Sequence, residues 1–412
     1  MKIKRILIGS EEICGFIGLL TGYYRTKGYE VVSIASKTKF YAHDYDLDPD
    51  NFFEGWKKHS QKGALSKFFI STAYGLLPGK FKHSLLNRLK RSFIQEFDLY
   101  INIWKCFFDE ELAFQAMNEK GKKWMTIVMG DDVRNRWVFQ NNFNIDDSLL
   151  PGVNKSKEHL ENRMKRLRLF EKNASIIFSG PDQASLALRP YFHAHVPVDL
   201  SEITFNIPQN KKLKVVHCPS DSNAKGTAIV ERVINELIQE GEEIEFVNIR
   251  NVPHSKLMNV LSESDILLDE LVFHGPGYLS FEAMASGCAV LTKYYENSPD
   301  CFKPPLVSVT KENVKEKLKA LIGNRDKIKE LAFAGREYVE KNNKLEFIAD
   351  YFMDCMEGKR RFDYFPDYFR NNFDPETYGL SKELVNKSIE DVKECSWYKE
   401  YVKPGTRAGL NF

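Results

Sequence analysis

The chain has 412 residues, 43% hydrophobic and 28% charged, a balance that suits two folded domains and excludes a largely disordered chain. Lys plus Arg number 59 against 57 Asp plus Glu, so the net charge of +2 gives no argument for nucleic acid. Seven cysteines (14, 106, 218, 288, 301, 355 and 395) form no Cys-x-x-Cys pair, which argues against a zinc ribbon, a redox motif or a disulfide framework and for a reducing compartment.

Met1 to Gly9 reads as a first strand and not as a secretory leader, because its apolar stretch is short and Ser10-Glu11-Glu12 follows at once. No apolar run reaches the roughly 18 residues that span a bilayer, so a cytoplasmic protein is expected. After the β-branched run Ile3–Ile8, Ile13, Phe16, Ile17, Leu20, Tyr23 and Tyr24 give an apolar face at helical spacing, with Gly28 as its stop. Further strands are expected at Glu30–Ala35, Leu99–Ile103, Trp124–Met129 and Ser175–Phe178. A second alternating series starts at Leu213. It continues through a helix at Thr227–Gln239, a strand at Ile244–Ile249, a helix at Ser255–Ser262, a strand at Asp265–Asp269, a helix at 280–286 and a strand at 288–292. Amphipathic helices then run to Met356. Such alternation predicts an α/β fold of two doubly wound, Rossmann-like domains. The expected boundaries are 1–200, a linker at 201–212, 213–356, and an aromatic-rich segment 357–412 packing back on the first domain. Ligands are expected in a cleft between the carboxyl ends of the two sheets.

Two segments carry most of the chemistry. In His274-Gly-Pro-Gly-Tyr-Leu-Ser-Phe-Glu-Ala-Met-Ala-Ser-Gly-Cys-Ala-Val-Leu-Thr292, a glycine turn leads into a helix expected to be capped by Ser280 and stopped by Gly287. Gly275 and Gly277 admit a ligand close to the backbone, and the open amides at the helix start suit a diphosphate. Glu282, expected in the first turn, suits the neutral hydroxyls of a ribose; its other reading is a carboxylate that complements the helix dipole. In Val215-Val-His-Cys-Pro-Ser-Asp-Ser-Asn-Ala-Lys-Gly-Thr227, Lys225-Gly226 opens the next helix, where an ammonium either neutralises phosphate oxygens or is simply solvated. The P-loop pattern is absent.

Together these segments resemble the nucleotide-sugar-binding half of GT-B glycosyltransferases, of the large retaining family often called group 1. That family carries an upstream Lys-Gly and then E-G-x-G-x-x-x-x-E-A-M-A-x-G-x-P-V. Gly275, Gly277, Glu282, Ala283-Met284-Ala285 and Gly287 fall on its signature. The resemblance is specific over about 213–292 and one of layout over 1–200, with Gly9-Ser10 and Gly15-x-x-Gly18 after the first strand. It implies that Glu282 binds ribose hydroxyls, that Lys225-Gly226 meets the diphosphate, and that the backbone of Gly277, Tyr278, Leu279 and Ser280 holds phosphates. It also implies a nucleotide sugar as substrate, with no cofactor and no metal. The family's first glutamate is His274 here, its usual arginine is Ser220, and its proline is Ala289. His274 can donate to a sugar hydroxyl or phosphate, and Arg134 or Arg250 can replace the guanidinium. In Gly130-Asp-Asp-Val-Arg134, Asp131 or Asp132 is either a base toward an acceptor or a turn carboxylate. Gly15 and Arg134 are expected on the acceptor or sugar side. Asp269 is expected to be structural, with Glu270 a weaker candidate for the cleft.

The alternating carboxylates Asp44, Asp46, Asp48 and Asp50 and the pair His193 and His195 have ligand-like spacing but no supporting partners, so no metal is expected. Residues 55–95 hold nine Lys or Arg and no Asp or Glu, which leaves the remaining chain with 50 basic and 57 acidic residues. From Phe81 to Phe93 apolar residues recur every fourth position. This segment is either a core stripe with a solvated basic face or a helix that lies on an anionic membrane at its inner face; no nucleic-acid module accompanies it. The expected function is transfer of a sugar from a nucleotide diphosphate donor to a glycan or lipid-linked glycan in surface polysaccharide biosynthesis. The alternatives are a nucleotide-sugar epimerase and an inactive sugar-nucleotide-binding protein.

Overall fold

The computed structural model describes residues 2–36, 41, 43–104, 106, 108–130, 133, 157–180, 186–208, 210–272, 275–294, 302–364 and 380–401. The β-branched runs form two parallel sheets. The first holds β1 (Arg5–Ser10), β2 (Glu30–Ala35), β3 (Leu99–Ile103), β4 (Lys123–Val128), β5 (Ile176–Ser179) and β6 (Phe192–His193), in the order β2-β1-β3-β4-β5-β6. The second holds β7 (Leu213–His217), β8 (Ile244–Asn248), β9 (Ile266–Leu268), β10 (Ala289–Thr292) and β11 (Val307–Ser308), in the order β11-β10-β9-β7-β8. Strand order reverses between β1 and β3 and between β7 and β9, so a crevice is expected outside the carboxyl ends of those strands.

Helices α1 (Phe16–Thr26), α2 (Phe52–His59), α3 (Ala64–Leu76), α4 (Gly79–Ile94), α5 (Glu110–Asn118) and α6 (Lys157–Asn173) belong to the first domain. The apolar stripe of α1 is buried through Phe16, Ile17, Leu20, Tyr23 and Tyr24, and Gly28 just beyond it takes φ +85°. One face of the first sheet, which carries Trp124, packs on Trp56, Phe93, Phe114 and Phe170, and the other, which carries Phe178, on Phe16, Leu20 and Phe352. In α4, Leu89 and Phe93 of the four-residue stripe are buried and Leu85 packs against the same core, while Phe81 is exposed. The stripe from 81 to 93 is thus mainly a core stripe.

The second domain carries α7 (Ser222–Lys225), α8 (Thr227–Gln239), α9 (His254–Ser262), α10 (Tyr278–Ser286), α11 (Val314–Ile322) and α12 (Arg325–Asn342). The chain passes between domains twice, and the two passages pair: Val198 N donates to Asn343 O at 2.7 Å and Leu345 N to Val198 O at 3.0 Å. The expected linker does not hang free. Ile203 is buried in the second domain, and Asn206 N donates to Ser286 O at 3.0 Å. One boundary differs from expectation. Helix α13 (Leu345–Met356), expected in the second domain, buries Ile348, Ala349 and Phe352 against α1, and Tyr24 OH donates to Ala349 O at 2.9 Å. Its apolar stripe shows that it must bury a face, but not which domain supplies the other side.

Beyond it, Tyr364 pairs with Tyr191. Helix α14 (Lys382–Glu390) and the short α15 (Tyr398–Tyr401) follow. Leu380, Val385 and Val392 join the first domain's core, and Trp397 Nε1 donates to Glu171 O at 3.0 Å. Phe365, Tyr368, Phe369 and Phe373 lie outside the described residues. Among the described residues no helix is long and apolar enough to cross a membrane.

Candidate active site

A cavity of about 770 Å³ lies between the domains. The first domain contributes Cys14, Gly15, Tyr41 and His43, and the second contributes His254, Tyr278 and Glu282. Its floor in the second domain is the amino end of α10. Gly277 is the N-cap, and among the described residues no side chain bonds the first amides. The helix therefore starts two residues earlier than expected. Ser280 lies inside it, not at its cap, and donates to Asp269 Oδ2 at 2.6 Å. Glu282 accordingly falls in the second turn, and is 3% exposed.

Lys225 does not open a helix; it closes α7, and Gly226 joins α7 to α8 at φ +69°, where a Cβ would also stand 3.1 Å from Leu271 Cβ. The ammonium is buried against the carboxylates of Asp269, with a short contact, and of Glu270 at 3.4 Å. Burial disfavours its charge, but the two carboxylates outweigh that and hold Lys225 above its ordinary range. Asp269 is in turn held low, since Lys225 and Ser280 outweigh its own burial. Lys225 is thus no solvated surface lysine. Its Nζ lies 3.8 Å from the place a Cβ on Gly277 would occupy, and that space is otherwise bounded at ordinary contact by Asp269 and Glu270. Gly275 has a different reason to be glycine: a Cβ there would collide with the Thr292 side chain, so protein packing and not a ligand requires it.

The structure adds a residue that the spacing did not single out. His254 Nε2 lies 2.5 Å from Glu282 Oε1, although 28 positions separate them. Burial disfavours the imidazolium, but the hydrogen bond and charge of Glu282 prevail, so the pKa of His254 is raised. Burial raises Glu282 as well, against the pull of His254. The position of His254 at the start of the helix that follows β8, beyond a carboxyl strand end, was the available signal. On the opposite wall, the Tyr41 ring lies 4.8 Å from the His254 ring. Burial pushes the Cys14 thiol up to about 12. Burial also lowers His43, with His254 adding to the effect. Gly15, in the left-handed region at φ +78°, is the N-cap of α1 and lines the cavity. Glu12 fills the start of that helix: its carboxylate accepts from Gly18 N at 3.2 Å and from Tyr45 OH at 2.6 Å.

Other expected site residues lie elsewhere. Ser220 is exposed, and the neighbouring Asp221 caps α7 through Asn223 N and Ala224 N. Arg250 stands 3.9 Å from Glu231 and is not among the residues that line this cavity. Asp131, Asp132, Arg134 and His274 lie outside the described residues. Tyr278 OH donates to Pro197 O at 3.1 Å, tying the site to the passage between domains. Asp46 clamps the loop onto β2 by accepting from Ser33 N at 2.8 Å, and Asp48 caps a short 3-10 turn. His195 stacks on Phe302, and burial lowers it to about 4. Among the described residues no group of three or more His, Cys, Asp or Glu side chains is placed to hold a metal.

Comparison with known proteins agrees with this architecture. Residues 230–354 match a family model described as glycosyl transferase-like. No curated protein sequence matches the chain. Among solved structures, a glycosyltransferase from Rickettsia africae superposes with a TM-score of 0.53 at 11% identity, over 87% of this chain and 99% of that one. Sucrose-phosphate synthase from Thermosynechococcus elongatus gives 0.52 at 12%, over 86% and 99%. A putative UDP-N-acetylglucosamine 2-epimerase from Listeria monocytogenes gives 0.52 at 14%, over 89% and 100%. With two parallel α/β domains closing on one cleft, this chain has the GT-B fold, and its residues 230–354 match the glycosyl transferase-like model.

Proposed function

We propose that the protein is a glycosyltransferase that takes a sugar from a nucleoside diphosphate donor, with retention and without a metal. Its acceptor is a glycan or lipid-linked glycan, as in surface polysaccharide assembly. The observation that carries this reading is the amino end of α10: free of a side-chain cap, flanked by Gly277 and Lys225, and continuous with Glu282 in the wall of the cavity. The helix amides and one of the three ammonium protons of Lys225 take the diphosphate, the other two protons serving Asp269 and Glu270. Glu282, oriented by His254, takes the ribose hydroxyls. Such a site positions the donor and stabilises the departing diphosphate, which is most of what the transfer requires.

A panel of nucleotide sugars, read by thermal shift and by slow hydrolysis, tests this. Stabilisation by one donor with release of its nucleoside diphosphate, unaffected by EDTA, is the expected result. An epimerised sugar would establish the epimerase instead, and binding without turnover would establish a binding protein. Activity abolished by EDTA and restored by manganese or magnesium would overturn the metal-free mechanism.

A further inference from the structure

Helix α3 is apolar, yet none of its 13 residues is buried. Leu65, Phe68, Phe69 and Leu76 share one stripe at helical spacing and are 76%, 65%, 67% and 82% exposed. The opposite stripe holds the helix to the domain: Tyr74 stacks on Phe53 at 4.1 Å, and Ile70 packs against the core. Just past the turn to α4, Phe81 is 51% exposed. This surface lies within the segment 55–95 that has nine basic and no acidic residues. Lys58, Lys62, Lys67, Lys80, Lys82 and Arg88 form no ion pair among the described residues.

An apolar stripe in a segment with basic and no acidic residues complements one kind of partner, an anionic lipid surface, which takes aromatic side chains at its acyl boundary and Lys or Arg at its headgroups. A second copy of the same face would set like charges against each other. The topology also orients the surface. Helix α4 ends just before β3 begins and, at 16 residues, is about 24 Å long. The α3–α4 turn at Leu77-Pro78 therefore stands toward the carboxyl end of the first sheet, the end at which the cleft opens.

We propose that the α3–α4 hairpin docks the protein on an anionic membrane, with Leu65, Phe68, Phe69, Leu76 and Phe81 entering the acyl boundary and the unpaired lysines meeting the headgroups. This rests on the first domain alone and holds whatever the cleft transfers. It moves the membrane-facing residues from the core stripe of α4 to the exposed stripe of α3.

The test is co-sedimentation with vesicles of phosphatidylcholine, with or without phosphatidylglycerol. The parent protein should pellet with the anionic vesicles and at least about tenfold less with neutral ones. Pelleting should fall as salt shrinks the Debye length from about 10 Å at 0.1 M to about 3 Å at 1 M. Phe68→Ser/Phe69→Ser alters two exposed side chains and should lose the binding at unchanged Tm, as should Lys58→Gln/Lys62→Gln/Lys67→Gln/Lys80→Gln. Phe333→Ser, also at an exposed phenylalanine but in the second domain, should bind like the parent. Equal pelleting with both vesicles, none with either, or parent-like binding by both multiple variants would overturn the proposal. So would a dimer in sedimentation velocity that Phe68→Ser/Phe69→Ser dissociates while vesicles bind nothing; that result would assign the face to a second copy.

Discussion

Helices α1 and α10 hold comparable places in the two domains. Each follows a strand of its sheet through a glycine-containing turn, has glycine as its N-cap, and meets the cleft at its amino end. At α1 the chain supplies its own anion: the Glu12 carboxylate accepts from Ile17 N and Gly18 N and from the Tyr45 hydroxyl. At α10 no side chain among the described residues takes that position, and the Lys225, Asp269 and Glu270 cluster lies beside Gly277. The same strand–glycine–helix plan leaves the first amides free for an outside anion only where the chain does not supply one itself. One helix start is filled by the chain's own carboxylate, and the other is left open among the described residues.

The largest effect expected from breaking this contrast is at Lys225. Lys225→Ala strands the buried carboxylate of Asp269 and leaves the half-buried Glu270 without its ammonium partner, and removing one partner of a buried ion pair costs about 3–5 kcal/mol. Urea denaturation should show that loss, and Lys225→Ala/Asp269→Asn should recover part of it. Any loss of nucleotide affinity must then be measured on the refolded fraction. Unchanged stability would make Lys225 a purely ligand-facing group.

Next comes Glu282→Ala. A lost hydrogen bond to a charged group is worth roughly 1.5–3 kcal/mol, so nucleoside diphosphate affinity by calorimetry should fall by one to two orders of magnitude. Affinity equal to the parent would remove Glu282 from the ribose site. Glu12→Ala sharpens the comparison from the other wall. It should cost about 1–3 kcal/mol of stability and leave donor binding by the second domain intact. Inorganic phosphate should then stabilise this variant more than the parent, because the amides of α1 have been opened.

The smallest effect concerns pH. The pKa of His254 is raised above its ordinary value of 6.5, because the hydrogen bond and charge of Glu282 prevail over burial. The stabilisation from that pair is therefore complete below about pH 6.5 and is lost as pH rises through the folded-state value. The Tm difference between the parent and His254→Gln should be largest in mildly acidic buffer and shrink toward alkaline pH. A difference independent of pH would mean that the pair is held without a charge on His254.

The periodicity of the sequence was enough to place nine of the eleven described strands to within a residue or two, because β-branched runs buried on both faces have few alternatives; the two-residue edge strands β6 and β11 were not expected, being too short to show a period. The glycine turn at 275–277 and Glu282 were legible for a related reason: a helix start beyond a parallel strand is a local feature, written in contiguous residues. Local pattern also misled in places. Ser280 looks like a cap, but its hydroxyl serves Asp269 from within the helix. Gly275 looks like room for a ligand, but it makes room for Thr292.

What only the tertiary structure decided involves partners distant in sequence. His254 finds Glu282 across 28 positions, and Lys225 finds Asp269 across 44. Helix α13 crosses to the first domain because the paired passages at Val198 and Leu345 carry it there. Composition marks a hydrophobic and basic segment at 55–95, but only packing separates the α4 residues that serve the core from the α3 residues that remain outside. An amphipathic pattern states that a face must be covered. Which surface covers it depends on how the chain returns through space, and no window of sequence contains that.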